Sequence, residues 1–149
     1  MVVEVQVIIY RSRSAVWNAI SNIEKAAEII SGIQKIEIVE KPVKGIVGLK
    51  WRETRMYFGK PATVEIWITD AVENQFYKTR AESDGYLFLS TMSITESSNG
   101  STLISSHDYK PQSIVAKFKA ITMFLFKGMI KKILLQDLND IKSAVERER

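Results

Sequence analysis

From Gln112 to Glu146 the chain contains no proline and a single glycine, Gly128. Pro111 stands just before this segment, and Ser113 is placed to cap a helix start. The segment therefore predicts one long C-terminal helix. At about 100° per residue, Ile114, Phe118, Ile121 and Leu125 fall within roughly 60° of arc, and Ile130, Leu134, Leu138, Ile141 and Val145 within roughly 80°. The two stripes point roughly 180° apart, so a straight rod cannot lay both on one surface. A straight helix would also run about 50 Å, against a diameter of roughly 40 Å for a compact domain of this size. A bend between Phe124 and Met129, with Gly128 as its natural place, satisfies both limits. The alternative is that Phe124–Met129 is enclosed on all sides. Lys117, Lys119, Lys127, Lys131 and Lys132 make the middle of the helix basic.

A helix like this needs a surface to cover, and the preceding chain reads as strands. Val3, Val5, Val7 and Ile9 alternate with Glu4, Gln6 and Ile8, which predicts a strand with one buried face. Ser14 is the expected cap of a short helix ending at Ile20, with Trp17 and Ile20 facing inward. A second short helix is expected from about Ile23 to Ile30, stopping at Ser31-Gly32. Strands follow around Gln34–Glu40, Leu49–Phe58, Ala62–Thr69, Asn74–Glu82, Tyr86–Thr95 and Thr102–Lys110. Gly59-Lys60-Pro61, Asp84-Gly85 and Ser97-Ser98-Asn99-Gly100 are the expected turns, and short turns imply antiparallel pairing. The class is α+β: a seven-stranded curved antiparallel sheet wrapped around a long C-terminal helix, with two short helices after the first strand.

The chain of 149 residues is read as one domain, 1–149, long enough to bury a sizeable core. It has no cysteine, which excludes disulfides and thiolate metal sites and is expected of a cytoplasmic protein. Glu4 and Gln6 interrupt the first apolar run, so it does not read as a signal peptide. No stretch approaches the roughly 18 uncharged apolar residues of a membrane span. The net charge of +4 permits transient contact with anionic lipid. Nucleic-acid binding is not expected, because no basic cluster is interleaved with stacking aromatics.

With this order of elements the chain resembles the START-like (SRPBCC) superfamily, in its polyketide cyclase/dehydrase-like branch. The resemblance rests on SAVWNAI (Ser14–Ile20), GIVGLKWR (Gly45–Arg52), NGSTLISSHDYKP (Asn99–Pro111) and DLNDIKSAVE (Asp137–Glu146). It implies the helix-grip fold, with a ligand cavity between sheet and helix. Members bind lipids, hormones or polyketides, and some are enzymes. Pocket residues vary across the superfamily, so it implies no catalytic set for this chain.

The residues that point into such a cavity follow from alternation. Leu49, Trp51, Glu53, Arg55 and Tyr57 share one face of a strand. If Trp51 is inside, Glu53 and Arg55 are inside too and must pair with each other, with a neighbouring element or with a ligand. Arg55 suits an anionic or carbonyl group because its donors form a planar fork. The bland reading is a structural pair, or a face exposed beyond Trp51. His107, the only histidine, alternates with Leu103, Ser105 and Tyr109, so His107 and Tyr109 are expected to face the helix. It reads either as a satisfied polar group at the cavity edge or as a general acid or base. Tyr77 and Phe88 add aromatic lining from the middle strands, and Ile121 and Leu125 are expected to cover it from the helix. Trp17 and Trp51 are expected in the core, and Trp67 outside, where it needs a partner. No metal spacing, Gly-rich phosphate loop or nucleophile elbow is present, and no cofactor is expected.

Three functions fit these residues. The first is binding or transport of a hydrophobic small molecule, a lipid, isoprenoid or polyketide-like compound. The second is a polyketide cyclase or dehydratase-like enzyme, which needs His107 or Glu53 beside a bound carbonyl. The third is a module that docks on a membrane or a complex through the basic, apolar helix. The cavity door is expected where Val43–Gly48 meets the N-terminal half of the long helix, with Ile46 packed near it. Oligomeric state is not legible.

Overall fold

The structure is a computed structural model that describes residues 1–148. Seven strands form one antiparallel sheet: β1 (Val2–Ile9), β2 (Ile33–Glu40), β3 (Lys50–Tyr57), β4 (Lys60–Val72), β5 (Phe76–Ser83), β6 (Tyr86–Ser97) and β7 (Gly100–Pro111). Their order across the sheet is β1-β7-β6-β5-β4-β3-β2. β2 to β7 pair with their sequence neighbours, through short turns from β3 onward and through the longer segment 41–49 between β2 and β3, whereas β1 pairs with β7. The excursion from one sheet edge to the other carries α1 (Arg13–Ser21), a 3-10 turn at Ile23–Lys25 and α2 (Ala26–Ile29). The expected α+β helix-grip layout is thus the observed one.

Local details depart from expectation. Ser12, not Ser14, caps α1, its Oγ accepting from the Ala15 N–H at 3.2 Å. The first β turn lies at Phe58-Gly59, whose φ values of 52° and 76° give the twist a tight hairpin needs, so β4 already begins at Lys60. Trp67 does face away from the core, and its partner is Lys50, with Nζ 5.5 Å from the ring centre.

The long C-terminal segment is two helices, α3 (Ile114–Leu125) and α4 (Lys127–Arg147). The interruption falls within the expected window but at Phe126, two positions before Gly128, with φ −95° and ψ 10°. The Phe126 N–H is shared between the carbonyls of Thr122 (3.3 Å) and Met123 (3.1 Å), a tightening of the last turn. The Phe126 ring meets Phe58 edge-on, with centroids 6.4 Å apart. Contrary to expectation, the break does not turn the first stripe inward. α4 buries Leu134, Leu138, Ile141 and Val145, whereas α3 buries only Ala116.

α3 sits on the β5–β6 hairpin. Ser113 caps it as expected, with Oγ 3.0 Å from the Ala116 N. Tyr86 donates its hydroxyl to the Ala116 carbonyl at 2.9 Å. Gly85 has φ +79°, and a Cβ there would lie 2.6 Å from Ser113 Oγ, so both the turn and the docked helix demand glycine.

The core lies between the concave sheet face, α1 and α4. Ile9, Val16, Trp17, Ile20, Trp51, Ile68, Leu103 and Leu138 belong to one buried group. Ile46 packs against that group, and Gly48 bonds back to the Ile68 carbonyl at 2.9 Å. This overturns the expected door. Val43–Gly48 lies at the start of β3, next to the core, while α3 and Phe126 stand at the opposite end, beside Phe58.

Candidate functional site

Pairing register carries one face across the whole sheet. Residues directly opposite in antiparallel strands share a face. Val5 opposes Ser105 and Val3 opposes His107; Ser105 opposes Met92 and His107 opposes Ser90. Met92 opposes Tyr77 and Ser90 opposes Thr79. Ala81 opposes Ile66, which opposes Trp51, and Val64 opposes Glu53. His107 and Arg55 therefore look into the same space from different parts of the sheet, and α4 roofs that space.

The space has two lobes of about 150 Å³ and about 370 Å³. The inner, smaller lobe is bordered by Ile20, Ile23, Ile30 and Ile33, by Trp51, Tyr77, Met92 and Ser105, and by Leu138 and Ile141 of α4. The outer lobe is bordered by Tyr57, Val64, Ala81, Phe88 and Tyr109 from the sheet, and by Ile130, Ile133 and Leu134 from α4. Glu53, Arg55, Ile66, Thr79, Ser90, His107 and Asp137 border both.

The polar centre is an ion-pair network. Arg55 Nη1 and Nη2 donate to Asp137 Oδ1 and Oδ2 at 3.1 and 2.8 Å, a bidentate fork from β3 to α4. Arg55 Nε donates to Glu53 Oε2 at 2.9 Å, and Trp51 Nε1 to Glu53 Oε1 at 3.4 Å. The three charged side chains are only 13–17 % exposed. These bonds use three of the five N–H donors of the guanidinium, which borders both lobes. Burial works against the charge of Arg55, but the bonds to Asp137 and the field of Glu53 outweigh it and hold its pKa above the ordinary value. Burial raises the Asp137 carboxyl, and the Arg55 donors pull it back in part. Gly32 allows this packing: a Cβ there would stand 3.0 Å from Arg55 Nη1.

His107 shares a 2.7 Å hydrogen bond between Nε2 and Ser105 Oγ and stacks on Tyr109, with planes 16° apart. Burial, aided by the positive charge of Arg55, lowers its pKa from 6.5 to about 4, so the imidazole is neutral at pH 7. Burial pushes the Tyr109 hydroxyl up to about 12 and raises Tyr77 and Tyr57 as well. All three phenols stay protonated at pH 7 and can donate.

Trp51, Glu53, Arg55, Tyr57, Tyr77, Phe88, Ser105, His107 and Tyr109 thus all border the cavity, as alternation placed them. Ile121 and Leu125 do not. They are 66 % and 76 % exposed on the outer side of α3, because α4 rather than α3 forms the roof. Asp137 was missed. It lies about 20° from Ile130, at the edge of the stripe that runs from Ile130 to Val145 on a helical wheel, so a carboxylate beside an apolar stripe was the available signal. Thr79, Ser90 and the isoleucines after α1 were also missed. Among the described residues no group of His, Cys, Asp and Glu is arranged to hold a metal ion.

A curved antiparallel sheet gripping a C-terminal helix around a cavity is the helix-grip fold. Solved structures share it. The Zhui aromatase/cyclase from Streptomyces sp. R1128 superposes with a TM-score of 0.81 at 18% identity, covering 99% of this chain and 94% of that one. Norcoclaurine synthase from Thalictrum flavum, a point mutant bound to a transition-state analogue, gives 0.74 at 17% identity over 97% and 93% of the two chains. Ara h 8.0201 gives 0.73 at 16% identity over 99% of each. No family model and no curated protein matches the sequence. At these identities the likeness is one of fold.

Proposed function

We propose that the protein binds a hydrophobic small molecule, a lipid, isoprenoid or polyketide-like compound, between the sheet and α4. One observation carries this reading: a two-lobed cavity of about 150 and 370 Å³, walled by aliphatic and aromatic side chains, with its polar groups gathered where the lobes meet. That pattern, an apolar wall with a few convergent polar groups, is what a ligand site needs for affinity and orientation. The apolar body of the ligand fills the outer lobe. Its oxygen functions meet Arg55, His107, Ser105 or the tyrosine hydroxyls. Neighbours of this fold include aromatase/cyclases and norcoclaurine synthase, which fits a cavity for compounds of this kind. Organic extraction of the purified protein followed by mass spectrometry tests the reading. A stoichiometric apolar compound supports it; an empty extract together with no binding of apolar fluorescent probes overturns it.

A second reading, a cyclase or dehydratase-like enzyme, is favoured by His107. Its imidazole borders both lobes of the cavity and is unprotonated at pH 7, the form that accepts a proton, although its lowered pKa makes it a weak base. On this reading turnover of a polyketide-like substrate falls at least about a hundredfold in His107→Ala, the usual size of a general-base contribution. Unchanged turnover in a variant lacking both His107 and Glu53 defeats it.

A further inference from the structure

The outer side of α3 is out of proportion to the rest of the surface. Ile114, Phe118, Ile121, Phe124 and Leu125 are exposed to between 64 and 76 % on a helix of twelve residues. Ile114, Phe118, Ile121 and Leu125 line up along the helix, on the side opposite its one buried residue, Ala116. Phe58, at the tip of the β3–β4 turn, is 81 % exposed and extends the apolar surface through its contact with Phe126. A contiguous apolar face of this kind marks a contact site.

Charge decides what it contacts. Between Asp108 and Asp137 the chain carries six lysines and no carboxylate. The ion pairs nearest in sequence are Lys110 with Asp108 and Arg55 with Asp137, at the two ends of this stretch. Lys117, beside the apolar stripe, and Lys119 are exposed on α3, and Lys131 and Lys132 are exposed at the start of α4. A second copy of the chain placed face to face would set these lysines against each other, so self-association is disfavoured by the charge that an anionic surface attracts. No described helix is long and apolar enough to cross a membrane. A short helix with a bare aliphatic and aromatic face flanked by lysines is instead built to lie in the headgroup region.

We propose that α3, with Phe58 and Phe126, docks the protein peripherally on an anionic bilayer, the apolar stripe entering the interface and the lysines meeting the headgroups. Tyr57, which borders the outer lobe of the cavity, directly precedes Phe58. Docking therefore sets the cavity next to the bilayer. The docking itself does not depend on what occupies the cavity.

The test is co-sedimentation of the full chain with vesicles of phosphatidylcholine, with and without phosphatidylglycerol. Binding to the anionic vesicles at low salt is expected to exceed binding to the neutral ones at least about tenfold, and to fall steeply with added salt. Phe118→Asp and Leu125→Asp are expected to reduce it at least about tenfold with an unchanged thermal melt, since neither side chain packs in the core. Lys117→Glu with Lys119→Glu is expected to weaken only the anionic component. Equal binding to both vesicle types, no binding to either, or wild-type binding by Phe118→Asp overturns the proposal. So does a lipid-free dimer in analytical ultracentrifugation that Phe118→Asp converts to monomer, since the face is then a subunit interface.

Discussion

Arg55 on β3 and Asp137 on α4 meet fork to fork, 82 positions apart in sequence, at 3.1 and 2.8 Å. The contact ties the sheet to its covering helix at the place where the two cavity lobes join. It also commits much of the Arg55 charge before any ligand arrives. The polar centre therefore holds two carboxylates against one guanidinium and is better suited to neutral hydrogen-bonding groups than to a free anion.

Removing Asp137 leaves Arg55 with Glu53 as its partner, whereas removing Arg55 leaves two buried carboxylates without a cation. Asp137→Leu is expected to cost about 3 kcal/mol of folding stability. The double variant with Arg55→Leu is expected to lose less than the sum of the two single changes, because Arg55→Leu alone strands both Glu53 and Asp137 and the double variant strands only Glu53. A double-mutant cycle from urea denaturation measures the coupling. A value above about 1 kcal/mol distinguishes this pair from exposed ion pairs such as Arg80–Glu82.

His107 makes stability depend on acid. Its folded pKa of about 4 lies below the ordinary 6.5. The contribution is therefore complete above pH 6.5 and is lost as pH falls through about 4, on the order of 3 kcal/mol in all. Asp137, raised by burial, acts in the opposite sense and is common to wild type and variant. Denaturation curves of wild type and His107→Gln between these pH values are expected to converge as pH falls.

Filling the outer lobe separates binding from folding. Ala81 is buried on β5 and borders that lobe opposite Phe88. Ala81→Phe places a ring in existing space. It is expected to lower the affinity of an apolar probe such as Nile red at least about tenfold, with less than about 2 kcal/mol of destabilisation. Fluorescence titration and thermal melts read the two effects.

α3 is held by few contacts, and Tyr86 supplies one of them. Tyr86→Phe removes the hydroxyl that reaches the Ala116 carbonyl and is expected to cost about 1 kcal/mol. Hydrogen exchange is expected to quicken in Lys117–Leu125 and to stay unchanged in β6 and β7.

Alternation made the strands legible, because a sheet with one buried face repeats every two residues and the turns are marked by glycine, asparagine and aspartate. The inward positions of Glu53, Arg55 and His107 followed from Trp51 and Leu103 by the same count. Asp137 did not follow. The wheel places it beside the stripe of α4, but only the crossing of helix and sheet brings it to Arg55.

The amino-acid order alone thus determined the strands, the antiparallel pairing of those joined by short turns and which face of each strand is inside. These depend on short-range periodicity and on backbone preferences that each residue carries with it. Tertiary structure decided the rest. Ile114, Phe118, Ile121 and Leu125 form as regular an apolar stripe as Leu134, Leu138 and Ile141, yet one stripe lies in solvent and the other in the core. Periodicity records that a helix has an apolar side. Whether the sheet reaches far enough to cover that side depends on where Phe126 breaks the helix and where the β5–β6 hairpin receives Ala116, and those are contacts between distant parts of the chain.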